Sequence, residues 1–212
     1  MDEKDALSSY HYVIGGIKEM QKTTFKMELF VRNTNGIGRY IEGLDKDKSD
    51  EGFKQYNGLA KTYGLDLYAK RSILQHQLWL AYTLSRTTES FDYLGVDVWQ
   101  RAAHDQTHEV KTAFIFNLKA YHLSFNYVFG SGIPTFEQGL NVGDQQIYSR
   151  LDLAFMRDIK FKMIQGQIGA SIVNVLNQSN VRYNNFFNYD TEDRIYAAGQ
   201  PFTPSVFFNV QF

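Results

Sequence analysis

The sequence predicts an all-β fold, an antiparallel up-and-down β-barrel of the transmembrane kind, and three observations carry that expectation. Seventeen Phe and fourteen Tyr stand against three Pro, a composition that favours strands. Apolar and polar residues alternate with period two, the repeat of a strand with one greasy and one wet face. Short and long connections alternate strictly along the chain, the rhythm of a meander with tight turns on one rim and long loops on the other.

Taken in order, the predicted strands run Ser8 to Lys18, Thr23 to Arg32, Leu59 to Lys70, Ile73 to Arg86, Gln106 to Leu118, Tyr121 to Gly130, Ile147 to Asp158, Met163 to Leu176 and Pro201 to Phe212. The alternation is clearest in Phe25, Met27, Leu29 and Val31 against Lys26, Glu28 and Arg32, with Phe30 out of phase. It recurs in Tyr63, Leu65, Leu67 and Ala69 against Asp66 and Lys70, and in Leu151, Leu153 and Phe155 against Arg150 and Asp152. Leu78, Leu80, Tyr82 and Leu84 repeat it with Trp79 on the polar side, as do Leu123, Phe125, Tyr127 and Phe129 against His122, Ser124 and Asn126.

Each strand is near the ~9–11 residues that cross a bilayer at a tilt. The short connections are Glu19 to Lys22, a turn near Arg71, Lys119-Ala120 and Ile159 to Lys162. The long ones are Asn33 to Gly58, Thr87 to Asp105, Ser131 to Gln146 and Asn177 to Gln200. Charged stretches such as Asp45 to Gly52 and Tyr189 to Asp193 read as solvated loops.

Composition narrows the function classes. Lys+Arg of 22 against Asp+Glu of 23 gives a net charge of -1, which supplies no basic field for nucleic acid. The absence of cysteine removes disulfides, thiolate zinc sites and cysteine nucleophiles together. Mean hydropathy is -0.37 and no apolar run reaches the ~18 residues of a spanning helix, although a membrane barrel hides in such averages. The start, MDEKDALSS, has no basic region followed by an apolar one and so reads as no leader peptide.

Alternation alone does not separate a membrane barrel from a soluble one, since a lipocalin-type barrel inverts which face is apolar. The aromatic last strand, with Phe208, Val210 and Phe212 in one phase, favours a lipid-facing closing strand. Tyr10, Tyr63, Tyr121 and Phe129 near strand ends are candidates for an interfacial girdle. Asp66 and Asp152 are expected to face a lumen, where a charge is cheap. If the last strand descends to the periplasm, counting back nine strands starts the first one outside. The expectation is then a chain lacking at least one upstream strand.

No motif carries catalysis. His104 and His108 stand four apart in HDQTHE, but the zincin pattern needs Glu directly after the first His, and Asp105 follows instead. His11, His76 and His122 read as hydrogen-bonded wall residues. No GxSxG, GxxxxGK[ST] or GxGxxG occurs, and Asn35 to Tyr40 (NGIGRY) reads as turn glycines. The expected reading is a non-enzyme with no catalytic residue, metal or cofactor; a paired-carboxylate hydrolase on the rim is the enzymatic alternative.

The chain resembles the C-terminal part of the β-barrel of TonB-dependent outer-membrane receptors, particularly those of Bacteroidetes. The similar stretches are ALSSYHYVIGGIK, FKMELFVRN, TYGLDLYAKRS, LWLAYTLSRTTESF, HDQTHEVKTAFIFNL, FNYVFGSGIP, YSRLDLAFMRDI, ASIVNVLNQSNV and GQPFTPSVFFNVQF. Asp105 and His108 fall in a family segment like Asp-Gln-Arg-His, with Thr107 in place of Arg.

The resemblance implies a barrel of about 22 strands, of which residues 1–212 form one partial barrel domain with no plug. Its implied role is active uptake of a scarce ligand in the outer membrane of a Gram-negative bacterium. The implied partners are membrane lipid, a small ligand at the outer loops, and TonB through a plug absent from these residues. The barrel-assembly machinery is implied to read a signal at Phe208, Val210 and Phe212. Two alternatives stand beside this reading: a self-contained small outer-membrane barrel of about ten strands, and a soluble β-barrel binder.

Overall fold

The computed structural model describes residues 6–41, 54–137, 140–144, 147–161, 164–188 and 193–211. The chain opens with β1 (Ser8–Met20), β2 (Thr23–Ile41), β3 (Lys54–Ile73) and β4 (His76–Phe91). A 3-10 turn (Asp92–Leu94) and the short β5 (Gln100–Arg101) lead to β6 (His108–Leu118) and β7 (Tyr121–Gly130). There follow β8 (Pro134–Glu137), β9 (Leu140–Asp144), β10 (Tyr148–Phe161), β11 (Ile164–Val173), β12 (Val181–Asn188), β13 (Asp193–Ala198) and β14 (Thr203–Gln211).

The main sheet is antiparallel and up-and-down, in the order β1-β2-β3-β4-β6-β7-β10-β11-β14, with β5 beside β4. Its nine long strands coincide with the nine expected from alternation. The sheet does not close: β1 and β14 lie at its opposite ends. Among the described residues no helix is long and apolar enough to cross a membrane.

Several boundaries differ from the sequence expectation. β2, β3 and β4 overrun their apolar stretches to Ile41, from Lys54 and to Phe91. Ladder hydrogen bonding needs no apolar face, so pairing continues where both faces are polar and the sequence pattern falls silent. The turn expected near Arg71 falls at Leu74-Gln75, because Leu74 takes the left-handed φ of 55° that a tight hairpin requires. Lys119 does the same at φ 54°. β11 stops at Val173, where Asn174 turns to φ 55°. Two expected loops contain hairpins, β8 with β9 and β12 with β13. The charged stretch Asp45 to Gly52, residues 189–192, the first residue of the eighth expected strand, Met163, and the terminal Phe212 lie outside the described residues.

Opposed residues across the ladders fall into rows on one face. One row runs Tyr12, Val31, Tyr63, Arg86, and the next runs Ile14, Leu29, Leu65, Leu84. Farther along the sheet Phe116, Leu123, Phe155, Ala170 and Val206 are opposed in turn. The rows are staggered: the one through Ile14 leaves the sheet at His108 on β6, whereas the one through Val210 reaches back only to Ile159 on β10. Such shear is what tilted strands produce.

Candidate functional site

The two faces differ in chemistry. The rows just described make one face apolar from β1 to β14, and among the described residues nothing covers it. Ile14 is 74% exposed, Val206 78% and Phe208 67%, and Met27, Leu67, Leu80, Phe125 and Phe155 are also exposed. Among the described residues the buried hydrophobic side chains are Phe91 and Ala102 alone. Single exposed apolar side chains are ordinary on a protein surface, but a contiguous patch of this extent marks an interaction surface.

The opposite face carries charges and amides that bond one another. Lys26 Nζ lies 2.8 Å from Glu28, and Thr83 Oγ1 donates to Asp66 Oδ1 at 2.5 Å. Asp152 accepts from Arg150 at 2.8 Å and from the Asn174 amide at 2.8 Å. Asp66 and Asp152 thus share this polar face, as the alternation predicts. β1 is less regular, since Val13 and Ile17 also point to this side. The two residues that break phase elsewhere have partners here. Phe30 lies against Gly64, its direct neighbour on β3, and Lys70 sits 5.6 Å from the Trp79 ring opposite it.

At the long-connection end, beyond the last apolar row, two buried acids organise the strand extensions. Asp105, 1% exposed, accepts from the Thr87 amide at 2.6 Å and from Arg101 Nε at 2.8 Å. Glu89, 4% exposed, pairs with Arg39. Burial holds the Glu89 carboxyl above its usual range, outweighing the Arg39 charge and hydrogen bond that pull the other way. The Arg39 guanidinium lies 4.6 Å from the Phe91 ring and 4.9 Å from Phe136, and donates to the Tyr93 hydroxyl at 3.1 Å. This ties β2, β4 and the β8 hairpin together.

At the tight-turn end a polar chain crosses four strands. Asn117 Nδ2 donates to the Gln75 carbonyl at 2.7 Å, and Asn117 Oδ1 lies 2.7 Å from His122 Nδ1. His122 Nε2 lies 3.0 Å from Asp158, which also accepts from Gln167 at 3.0 Å. His76 stacks on Phe116 at 4.1 Å and accepts the Asn117 amide. His122 and His76 are therefore bonded wall residues, while His11 makes an edge contact with Phe30 at 6.2 Å. His108 heads β6 and bonds Tyr82 at 2.9 Å. Among the described residues no group of three or more His, Asp or Glu is placed to hold a metal.

Phe208 opposes Ile168 and Val210 opposes Gly166, so both belong to the apolar face; Phe212 lies outside the described residues. Tyr10, Tyr63 and Tyr121 are exposed on the same face. Sequence reading missed Arg39, Glu89 and Arg101, whose polar neighbourhoods give no periodic signal. No family model matches the chain, and no curated protein matches it in sequence.

Proposed function

We propose that this chain is the C-terminal segment of the transmembrane β-barrel of a TonB-dependent receptor, which takes up a scarce ligand across a Gram-negative outer membrane. The observation that carries the reading is the uncovered apolar face spanning all nine long strands, opposite a face of mutually bonded charges. Lipid is the solvent that suits such a surface. The alternation of tight turns with long connections supports a periplasmic rim at Leu74-Gln75 and Lys119-Ala120 and an outer rim at the Asp105 and Glu89 clusters.

The open sheet supports a segment of a larger barrel. A self-contained barrel would pair β1 with β14, and instead these long strands leave two edges open, a liability that closure abolishes. Further strands of the same protein would cover both edges, a plug would fill the lumen, and TonB would act through that plug. The outer loops would contact the ligand. Phe208, Val210 and Phe212 would present the assembly signal.

An immunoblot of the source organism's outer-membrane fraction tests this. A membrane band several times heavier than 24.5 kDa is expected. A membrane band at that mass would replace the receptor with a small barrel, and a soluble band would overturn the membrane assignment.

A further inference from the structure

We propose that the apolar face of β1 to β4 seats an acyl chain of an anionic lipid, with the lipid's phosphate held by Arg86 and Lys61. The inference rests on the membrane reading above and adds to it a lipid class and a defined seat.

A groove of about 880 Å³ crosses these four strands. Its walls are two neighbouring rows, one from Tyr12 to Arg86 and one from Ile14 to Leu84. The intervening row, which includes Gly64, turns its side chains to the other face by the period-two rule, so backbone forms the floor. Such a trough is apolar along its length and cationic at one end.

Arg86 has donors to spare. Its Nη1 lies 3.4 Å from both Asp105 Oδ2 and Thr107 Oγ1, longer than the ~2.9–3.0 Å typical of N–H···O bonds. Asp105 is already satisfied at 2.6 and 2.8 Å by the Thr87 amide and Arg101. Removing Arg86 from that carboxylate therefore leaves no orphaned acid, and the guanidinium fork remains open to a phosphate.

Lys61 stands beside it. On this face Tyr63 opposes Arg86 and Lys61 opposes Thr88, which makes Lys61 and Arg86 diagonal neighbours. The Lys61 ammonium lies 4.2 Å from the Trp99 ring. In the same loop Val96 is 93% exposed and Val98 is exposed too. Two cations at the end of an apolar trough, one of them over an indole whose loop carries exposed valines, match the layer where phosphates meet acyl chains.

The test uses the full chain and vesicles of phosphatidylcholine containing a minor fraction of phosphatidylglycerol. Chain-bearing vesicles are floated and solubilised, and the lipid remaining on the protein is quantified. Retention should favour phosphatidylglycerol by about fivefold per cation. The preference should fall in Lys61→Gln and Arg86→Gln and be kept in Arg86→Lys, which checks that loss reflects charge rather than misfolding. Equal retention of both lipids by a floating chain overturns this seat and leaves the membrane reading intact. Displacement of the lipid by millimolar inorganic phosphate overturns the acyl seat. A chain that floats with neither lipid overturns both.

Discussion

The ring of Phe30 occupies the space that a side chain at Gly64 would need: a Cβ there would lie 2.5 Å from Phe30 Cζ and 2.7 Å from the Leu84 carbonyl. The two residues face each other across the β2-β3 ladder. Phe91 stands in the same relation to Gly58, and Phe207 to Gly169. In each pair the aromatic ring covers a glycine on the neighbouring strand, a device that pins register and lets a sheet bend.

Gly64→Ala should therefore destabilise the sheet by about 1–3 kcal/mol through overpacking. Denaturant unfolding from detergent micelles would measure it. In Phe30→Ala/Gly64→Ala the clash with the ring is gone and that with the Leu84 carbonyl stays, so the double variant should be more stable than the sum of the single effects implies while remaining less stable than Phe30→Ala.

Asp105→Ala should cost about 3 kcal/mol, because Arg101 loses its carboxylate in a largely buried setting and keeps only neutral oxygen acceptors such as the residue 105 carbonyl, while the Thr87 amide loses the acceptor at 2.6 Å. The loss should concentrate at the long-connection end. Amide hydrogen exchange at Thr87 and Ala102 should accelerate while exchange near Asn117 stays unchanged.

Glu89 sets a pH dependence at the same rim. Its carboxyl is raised above the usual 4.5 by burial, so the folded rim binds that proton more tightly than the unfolded chain does. The resulting stabilisation is complete below pH 4.5 and is lost as pH rises through the raised value. Protection of amides around Phe91 should fall across that window in the parent chain, and Glu89→Gln should remove the slope.

A charge on the apolar face separates a bilayer from water as its surroundings. Leu67→Lys should cost about 2–4 kcal/mol if the face meets lipid at mid-depth. In vesicle reconstitution its folded yield should drop, while Thr83→Lys on the polar face should lose far less. Equal yields would argue against lipid contact.

The nine long strands were legible in the sequence because alternation is local: Phe25, Met27, Leu29 and Val31 announce their face without reference to any partner. Phe30 and Trp79 were not explicable, because what accommodates them, Gly64 and Lys70, lies on an adjacent strand. The strand extensions to Ile41 and Phe91 were invisible for a related reason, since the buried side of the β4 extension carries Thr87 and Glu89 where an apolar residue would have marked the period. Asp105 drew notice beside His104 and His108, but its salt bridge to Arg101 closes through a turn. Glu89 with Arg39, fifty residues apart, had no local signature.

The scarcity of buried apolar side chains has a thermodynamic consequence. In an ordinary domain, unfolding wets a hidden interior and raises the heat capacity, which bends the stability curve into a dome. With Phe91 and Ala102 as the buried hydrophobic residues described and many others half-covered, this chain in water has less interior to wet than a compact domain of its length. Its heat-capacity change in the absence of lipid or detergent should be smaller than such a domain's, and its stability curve flatter.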